Sequence, residues 1–288
     1  MFRKPLILVV LVTALVIMAC GININLPLKD IKTGPTVTDA INVAKPDTSE
    51  TVDLTISFGA GNLKVNPGAK DALVTGEVSY NVTDFKPVIT SSGNQVTIEQ
   101  GDLNVNGIPD FQGKIENSWD LQLSDTPMNL KINAGAYVGK YDLGGLSIKK
   151  LEIADGAADS NLTFSELNQS DMDVFRYTTG ASNVRLDKLA NANFSTMVFR
   201  TGAGSYHLDF SGELKQDASV SIDSGISSLV IVVPEGVPAQ LTFSGGLSNV
   251  DLFGDWTKNG DVYSQPGNGS KITFIVKMGA GSLELRNK

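Results

Sequence analysis

The sequence predicts an all-β protein: a right-handed β-solenoid with stacked coils of about 22 residues, and an N-terminal β-sheet section that shares its hydrophobic core. Two observations lead to this fold class. A short pattern centred on glycine recurs along most of the 288 residues. Apolar residues also alternate with polar ones on both sides of each glycine, as they do in strands with one buried face. Strong helix formers are few between the glycines, so a helical repeat fits poorly.

The repeat is anchored on eight glycines. In the six regular copies, apolar or aromatic residues occupy the third and fifth positions before the glycine and the fourth and sixth positions after it. The copies at Gly135 and Gly156 are degenerate. From Gly135 to Gly246, successive anchors lie 21 to 24 residues apart, which is a period typical of a solenoid. The predicted corner glycines are Gly59, Gly135, Gly156, Gly180, Gly202, Gly225, Gly246 and Gly279.

Each position of the repeat has a physical reason. Glycine at a corner permits either a positive φ or a close approach between neighbouring coils. The next residue is mostly alanine, which is small enough to stack at a tight corner. The third residue after the glycine is Asn or Ser in the regular copies, and short polar side chains there can bond neighbouring backbone groups. We therefore expect a polar ladder along one edge of the stack.

The N-terminus has the features of a lipoprotein signal. Arg3 and Lys4 precede an apolar run that is too short to span a bilayer as a helix, and the run ends at Cys20, the only cysteine. The segment IMAC resembles the lipobox of bacterial lipoproteins, which implies lipidation of Cys20; an uncleaved membrane anchor is the alternative. We predict a signal peptide at residues 1–19 and a flexible tether at residues 20–50.

The rest of the chain divides into two sections. Residues 51–130 contain the first glycine copy, followed by segments such as LVTGEVSYNV and SWDLQLS that alternate as antiparallel strands do. Residues 101–113 are predicted to be a loop between two of these strands. Residues 131–288 carry the remaining copies and form the solenoid proper.

Charge excludes one class of partner. The chain has 23 Lys and Arg against 31 Asp and Glu, and losing Arg3 and Lys4 with a signal peptide would take the net charge from −8 to −10. Such a surface repels nucleic acid and anionic headgroups. Attachment to a membrane would therefore depend on a lipid anchor rather than on a basic patch.

The glycine clusters and the single histidine do not predict a catalytic site. A phosphate-binding loop needs a helix after its glycines, whereas strands follow them here, and no GK[ST] motif occurs. His207 lies between the inward positions of Tyr206 and Leu208, so it should point outward. With one histidine and one cysteine, zinc and copper sites of the usual types are nearly excluded. We expect no cofactor and no metal site.

Acidic residues leave two weaker hypotheses open. The segment from Asp102 to Gly107 partly matches a calcium loop but lacks the final glutamate and the flanking helices. Separately, Asp155, Asp159, Asp171 and Asp173 could form an acidic groove near Arg176, as in β-helical carbohydrate-active enzymes. A polar hairpin loop is the better explanation of the first set, and exposed turn residues are the better explanation of the second.

Trp256 and Tyr263 are the candidate ligand-binding residues. They lie in the long segment that separates the last two glycine copies, and insertions in solenoids often carry the binding function. These rings could stack on a sugar or a peptide. Alternatively, the segment covers the end of the solenoid, whose exposed strand would otherwise invite edge pairing.

Two stretches resemble known bacterial envelope proteins. FGAGNLKVNPGAKDALVTGEVSYNV, with WDLQLSDTPMNLKINAGA after it, resembles the N-terminal domain called toast-rack. The segment DASVSIDSGISSLVIVVPEGVPAQLTFSGGLSNVDLFGDW is similar to the repeat region of LiaF-type envelope-stress proteins and candidate adhesins. The resemblance implies a non-enzymatic β-structured envelope protein and brings no catalytic residues with it. LiaF-type proteins usually carry transmembrane helices before the repeats, and a lipid anchor replaces them here.

These observations predict a membrane-anchored surface lipoprotein that acts as a non-catalytic binding or adhesion module. Its partners would be the membrane, through the lipid, and envelope proteins or extracellular polysaccharide. One alternative is an accessory protein in envelope-stress sensing, and the other is a carbohydrate-active enzyme.

Overall fold

The computed structural model describes residues 28–103 and 108–287. These residues form seventeen strands and two short 3₁₀ turns, Thr83–Phe85 and Leu189–Ala192. The strands are β1 (Leu28–Lys32), β2 (Val37–Val43), β3 (Val52–Pro67), β4 (Val74–Tyr80), β5 (Pro87–Ser92), β6 (Gln95–Gln100), β7 (Ile108–Gln112), β8 (Asn117–Leu123), β9 (Met128–Asp142), β10 (Ile148–Thr163), β11 (Met172–Asp187), β12 (Phe194–Asp209), β13 (Ala218–Val233), β14 (Ala239–Phe253), β15 (Thr257–Asn259), β16 (Val262–Gln265) and β17 (Ile272–Asn287). The predicted all-β class is confirmed.

Eight long strands, each carrying one corner glycine, form the body of the protein. They lie side by side and parallel in the order β3, β9, β10, β11, β12, β13, β17 and β14. Each pair stays in register along most of its length, so main-chain hydrogen bonds join successive coils. This stack of long strands is the predicted solenoid.

Each long strand contributes two walls to the core. In β11, Phe175 and Tyr177 are buried before the glycine, and Val184 and Leu186 are buried after it. The alternation changes phase at Gly180, where glycine and the following alanine are both exposed. Inward side chains from both halves therefore meet across one core, and the glycines form its outer corner. Buried residues from β2 to β17 belong to a single hydrophobic cluster, as expected for two sections with a shared core.

The order of the last coils differs from a simple sequential stack. The C-terminal strand β17 lies between β13 and β14, so β14 becomes the end of the stack. Phe274, Val276 and Leu285 of β17 are completely buried, whereas Val250 and Leu252 of β14 are only partly buried. Placing the more apolar strand inside the stack buries more apolar surface. The connecting segment forms the β15–β16 hairpin, and β16 pairs antiparallel with the first residues of β14.

At the other end, the stack divides beyond β3. The first half of β3 pairs with β6, which pairs with β5. The second half pairs with β8, which is followed by β4 and β2. The contacts β5–β6, β8–β4 and β4–β2 are antiparallel, in agreement with the alternating pattern of this section.

The predicted tether and loop are each partly wrong. Residues 37–43 form β2, in which Ile41 and Val43 are buried, so the folded part begins well before residue 50. Residues 108–112, predicted to be loop, form β7 and pair in parallel with β1. Both strands are short, and partners distant in sequence stabilise them, so local periodicity did not reveal them. Within residues 28–103 and 108–287, no helix is long and apolar enough to cross a membrane.

Candidate functional site

The corner glycines form one continuous seam across the stack. A Cβ atom at any of the last seven glycines of the seam would lie 2.3 to 3.1 Å from the carbonyl oxygen of the preceding one. None of the eight has a positive φ, so close approach of the backbones is what requires glycine here. The spatial order of the seam is Gly59, Gly135, Gly156, Gly180, Gly202, Gly225, Gly279 and Gly246.

A groove of about 740 Å³ lies against this seam and crosses β11, β12, β13, β17 and β14. We call it the corner groove. Its lining is dominated by hydroxyl groups, charged side chains and glycine backbone, and it contains no aromatic residue. The lining residues are Thr178, Thr179, Arg200, Thr201, Asp223, Ser224, Ser244, Gly245, Gly246, Lys277, Met278 and Gly279.

Three charged residues line the groove in a row. Arg200, Asp223 and Lys277 occupy register positions on three adjacent strands, two residues before each corner glycine. Adjacent strands are about 4.8 Å apart, so positive, negative and positive groups follow one another across the groove. All three side chains are exposed, and none forms an ion pair with another described residue. Their charges are therefore available to a ligand.

Hydroxyl groups form the floor beside this row. The Thr201 and Ser224 hydroxyl oxygens are 2.9 Å apart, and the Ser224 and Ser227 hydroxyl oxygens are 2.6 Å apart. Each hydroxyl can donate one hydrogen bond and accept others. The groove therefore presents both donors and acceptors at fixed positions.

A buried polar cluster lies beside the β11 end of the groove, where Thr179 belongs to both. The Tyr177 and Tyr137 hydroxyls donate to Asp155 Oδ2 over 2.9 and 3.3 Å, and the Thr179 hydroxyl donates to Oδ1. The hydroxyl groups of Thr179 and Ser182 are also hydrogen-bonded to each other. Burial raises the pKa of Tyr137 to about 12 and the pKa of Tyr177 well above its usual value, so both stay protonated donors at neutral pH. We call these five residues the Asp155 cluster.

The four aspartates do not form the acidic groove that we considered. Asp155 points toward the core, and its register partner on β11 is Thr179. Asp171 lies eight residues before Thr179, which is about 26 Å along an extended strand. Asp173 is on the same distant part of the chain, and Asp159 is exposed beyond the corner. In the described residues, no group of three or more His, Cys, Asp or Glu side chains is arranged to hold a metal ion.

The two candidate aromatic residues are buried, which corrects the proposed stacking role. Trp256 is 6% exposed and Tyr263 is 3% exposed, and both belong to the hydrophobic core cluster. The Lys258 ammonium lies 5.5 Å from the centre of the Tyr263 ring. Neither ring offers a free face to a sugar. The segment instead packs at the end of the stack, where β16 pairs with the first four residues of β14.

His207 is half-buried between Arg185 and Val230 in the register of the stack. Burial, and next the charge of Arg185, lowers its pKa. Cys20 and the central residues of the calcium-type pattern, Asn104 to Gly107, lie outside the described residues.

The charged row was not found from the sequence. The signal was present, because Arg200, Asp223 and Lys277 each precede a corner glycine by two residues. Recognising it required the position of β17 next to β13, which the order of repeats along the chain does not reveal.

The fold defines a class of protein: parallel coils with a glycine corner, extended at one end by a mixed sheet. The chain belongs to the toast-rack family, because the family model for the N-terminal domain of toast_rack (DUF2154) matches residues 32–175, half of the chain. No curated protein matches the sequence significantly.

Solved structures of similar fold come from several bacteria. A candidate cell adhesion protein from Clostridium sporogenes is 16% identical, with a TM-score of 0.45 over 88% of this chain and 100% of that chain. A candidate lipid-binding protein from Parabacteroides distasonis is 11% identical, with a TM-score of 0.42 over 88% and 99%. A candidate adhesin from Bacteroides fragilis is 10% identical, with a TM-score of 0.39 over 88% and 99%.

Proposed function

We propose that this protein is a non-catalytic binding protein of the bacterial cell surface, held at the membrane by a lipid on Cys20. Its corner groove binds an extended polar ligand of the extracellular polysaccharide class. The observation that carries this proposal is the row of Arg200, Asp223 and Lys277 above a floor of hydroxyl groups.

The shape of the groove suits a linear ligand. It crosses five strands, and the four spacings of about 4.8 Å between them give a length of roughly 19 Å. Main-chain hydrogen bonds hold these strands in register, so the protein loses little conformational entropy when a ligand binds. Sugar hydroxyls both donate and accept hydrogen bonds, and Thr201, Ser224 and the charged row offer both kinds of partner.

The acidic residues support binding rather than hydrolysis. A glycosidase needs two carboxyl groups about 5 to 9.5 Å apart on either side of one bond. Asp155 is engaged by three hydroxyl donors, and Asp171 lies about 26 Å away along the strands. Asp223 is the only carboxylate among the lining residues of the groove.

Removing the cations of the groove is expected to weaken polysaccharide binding. Arg200→Ala and Lys277→Ala should each lower affinity about tenfold, since each removes a charge-assisted hydrogen bond worth about 1.5 kcal/mol. Binding of the full chain to a panel of neutral and acidic polysaccharides, measured by calorimetry, is the test. Lys131→Ala serves as the control, because Lys131 is an exposed cation on β9, before the corner glycine and outside the groove. Equal losses for all three variants, or binding by none of the panel, would contradict the groove as the site.

The anchor is tested by mass spectrometry of the protein isolated from bacterial membranes. The expected mature N-terminus is Cys20 carrying a diacylglycerol group. An unmodified Cys20, or a chain that retains residues 1–19, would overturn the lipid anchor and leave the groove proposal standing.

A further inference from the structure

The end of the stack at β14 has an open edge beyond the corner. Within β14, only Ala239–Thr242 pair with β16, and the Phe243 amide donates to the Asp261 carbonyl oxygen. Residues 244–253 pair with β17 on one side. Among the described residues, no strand pairs with their other side. This leaves a ten-residue edge of about 33 Å.

The strand itself carries few of the features that usually protect edge strands. Its neighbours are Lys258 and Asp261 of the β15–β16 hairpin, which line a cavity with Ser244 and Asn249, and Arg286, which lies 5.3 Å from the centre of the Phe253 ring. The sequence of the edge, SGGLSNVDLF, has no lysine and no proline, and Asp251 is its only charge. Leu247 is 85% exposed and Phe253 is 52% exposed. Six of the other seven coils carry alanine at the position of Leu247. An unpaired edge that exposes Leu247 and Phe253 is suited to pairing with another strand.

The edge is complementary to itself in one antiparallel register. When Val250 pairs with Val250 of a second copy, Leu247 comes opposite Phe253, and Asn249 comes opposite Asp251. Residues directly opposite one another in a sheet share a face, and Leu247 and Phe253 both point outward. The two most exposed apolar side chains of the edge then contact each other. Each Asp251 carboxylate, which accepts from Asn249 of its own chain, also faces Asn249 of the second copy.

The neighbouring same-face registers fit less well. Moving the centre one residue back to Asn249 places Leu247 opposite the Asp251 carboxylate. Moving it one residue forward to Asp251 places the two Asp251 carboxylates opposite each other, and like charges in that position destabilise a strand pair. Both alternatives also separate Leu247 from Phe253.

We propose that this edge binds a second copy of the same chain, so that two stacks join end to end about a two-fold axis at Val250. Such an interface is isologous and closes at two copies. The N-terminal sections then lie at opposite ends of the doubled stack. The next step rests on the lipid anchor proposed above. With that anchor, the doubled stack joins copies that are held on two facing membranes.

Disulfide trapping tests the register. Val250→Cys in the full chain, in membranes, should give a covalent dimer under mild oxidation, because opposite residues have Cβ atoms about 4.5 to 5.5 Å apart. Ser228→Cys is the control, since Ser228 is an exposed residue on β13, two strands from the edge. The wild-type chain gives the background from Cys20. A dimer band with Ser228→Cys as strong as with Val250→Cys, or none with Val250→Cys, would overturn the proposal.

Vesicle aggregation tests the facing arrangement. Two populations of neutral lipid vesicles, each carrying the full lipidated chain and a different dye, should associate. Leu247→Lys should abolish the association, since lysine blocks edge pairing. Ile226→Lys is the matched control, because Ile226 is 68% exposed at the equivalent position two strands away, and it should leave association unchanged.

The outcomes separate this proposal from the groove proposal. Association that persists with Leu247→Lys would overturn the interface. A Val250→Cys dimer without vesicle association would overturn the facing arrangement. Arg200→Ala and Lys277→Ala should associate normally, so loss of polysaccharide binding and loss of association are independent results.

Discussion

Replacing Gly180 with alanine is expected to lower the free energy of unfolding by about 3 kcal/mol. The new Cβ atom would lie 2.4 Å from the Gly156 carbonyl oxygen. The obstacle is backbone, which cannot rotate away as the end of a side chain could. Two coils must therefore separate, or the corner must distort. Denaturant unfolding of the full chain measures the change, and the melting temperature should fall by roughly 6 to 12 °C.

Gly34→Ala is the control for this substitution. Gly34 does not have a positive φ, and a Cβ atom there would lie 3.7 Å from the Asn81 carbonyl oxygen, an ordinary contact. Its stability should stay within about 0.5 kcal/mol of the wild type. If Gly180→Ala were as harmless as Gly34→Ala, close packing of the coils would not be the reason for the glycine seam.

The glycine seam explains why the fold could be predicted from the sequence. Each copy must satisfy the same steric demand at Gly135, Gly180 or Gly225, so the demand repeats at nearly constant spacing. The inward residues on either side repeat with it, because they pack against the same neighbours in the next coil. Local sequence therefore contained both the strands and their corners.

The order of the strands in the stack could not be predicted from the sequence in the same way. β14 and β17 carry similar repeats, and only competition for the interior of the stack decides which of them lies next to β13. The strand at residues 37–43 was missed because its pairing partner, β4, lies more than thirty residues away in the sequence. The groove follows from the strand order, so its charged row was hidden for the same reason.

The Asp155 cluster is a further feature that the sequence did not predict. The sequence placed Asp155 among exposed turn residues, since aspartate is common in turns and rare in cores. The structure points its carboxylate inward, where Tyr177 on the next coil and Tyr137 on the previous one donate to it. Only the stacking of three coils creates this environment, and no single repeat contains it.

Asp155→Ala is therefore expected to destabilise the protein by about 3 kcal/mol, the second large effect that the structure implies. The substitution leaves the hydroxyls of Tyr137, Tyr177 and Thr179 without their common acceptor, and an unsatisfied buried donor costs about 1 to 3 kcal/mol. Asp155→Asn keeps one acceptor oxygen and should lose less than half as much. The free energy of unfolding from denaturant titration is the measurement.

Asp159→Ala is the matched control, because Asp159 lies on the same strand with its side chain exposed. It should change stability by no more than about 0.5 kcal/mol. A cost for Asp155→Ala no greater than that of Asp159→Ala would show that the cluster does not support the fold. A large cost restricted to Asp155, with polysaccharide binding retained at temperatures where the variant is folded, would establish Asp155 as structural. It would also remove Asp155 from any catalytic scheme.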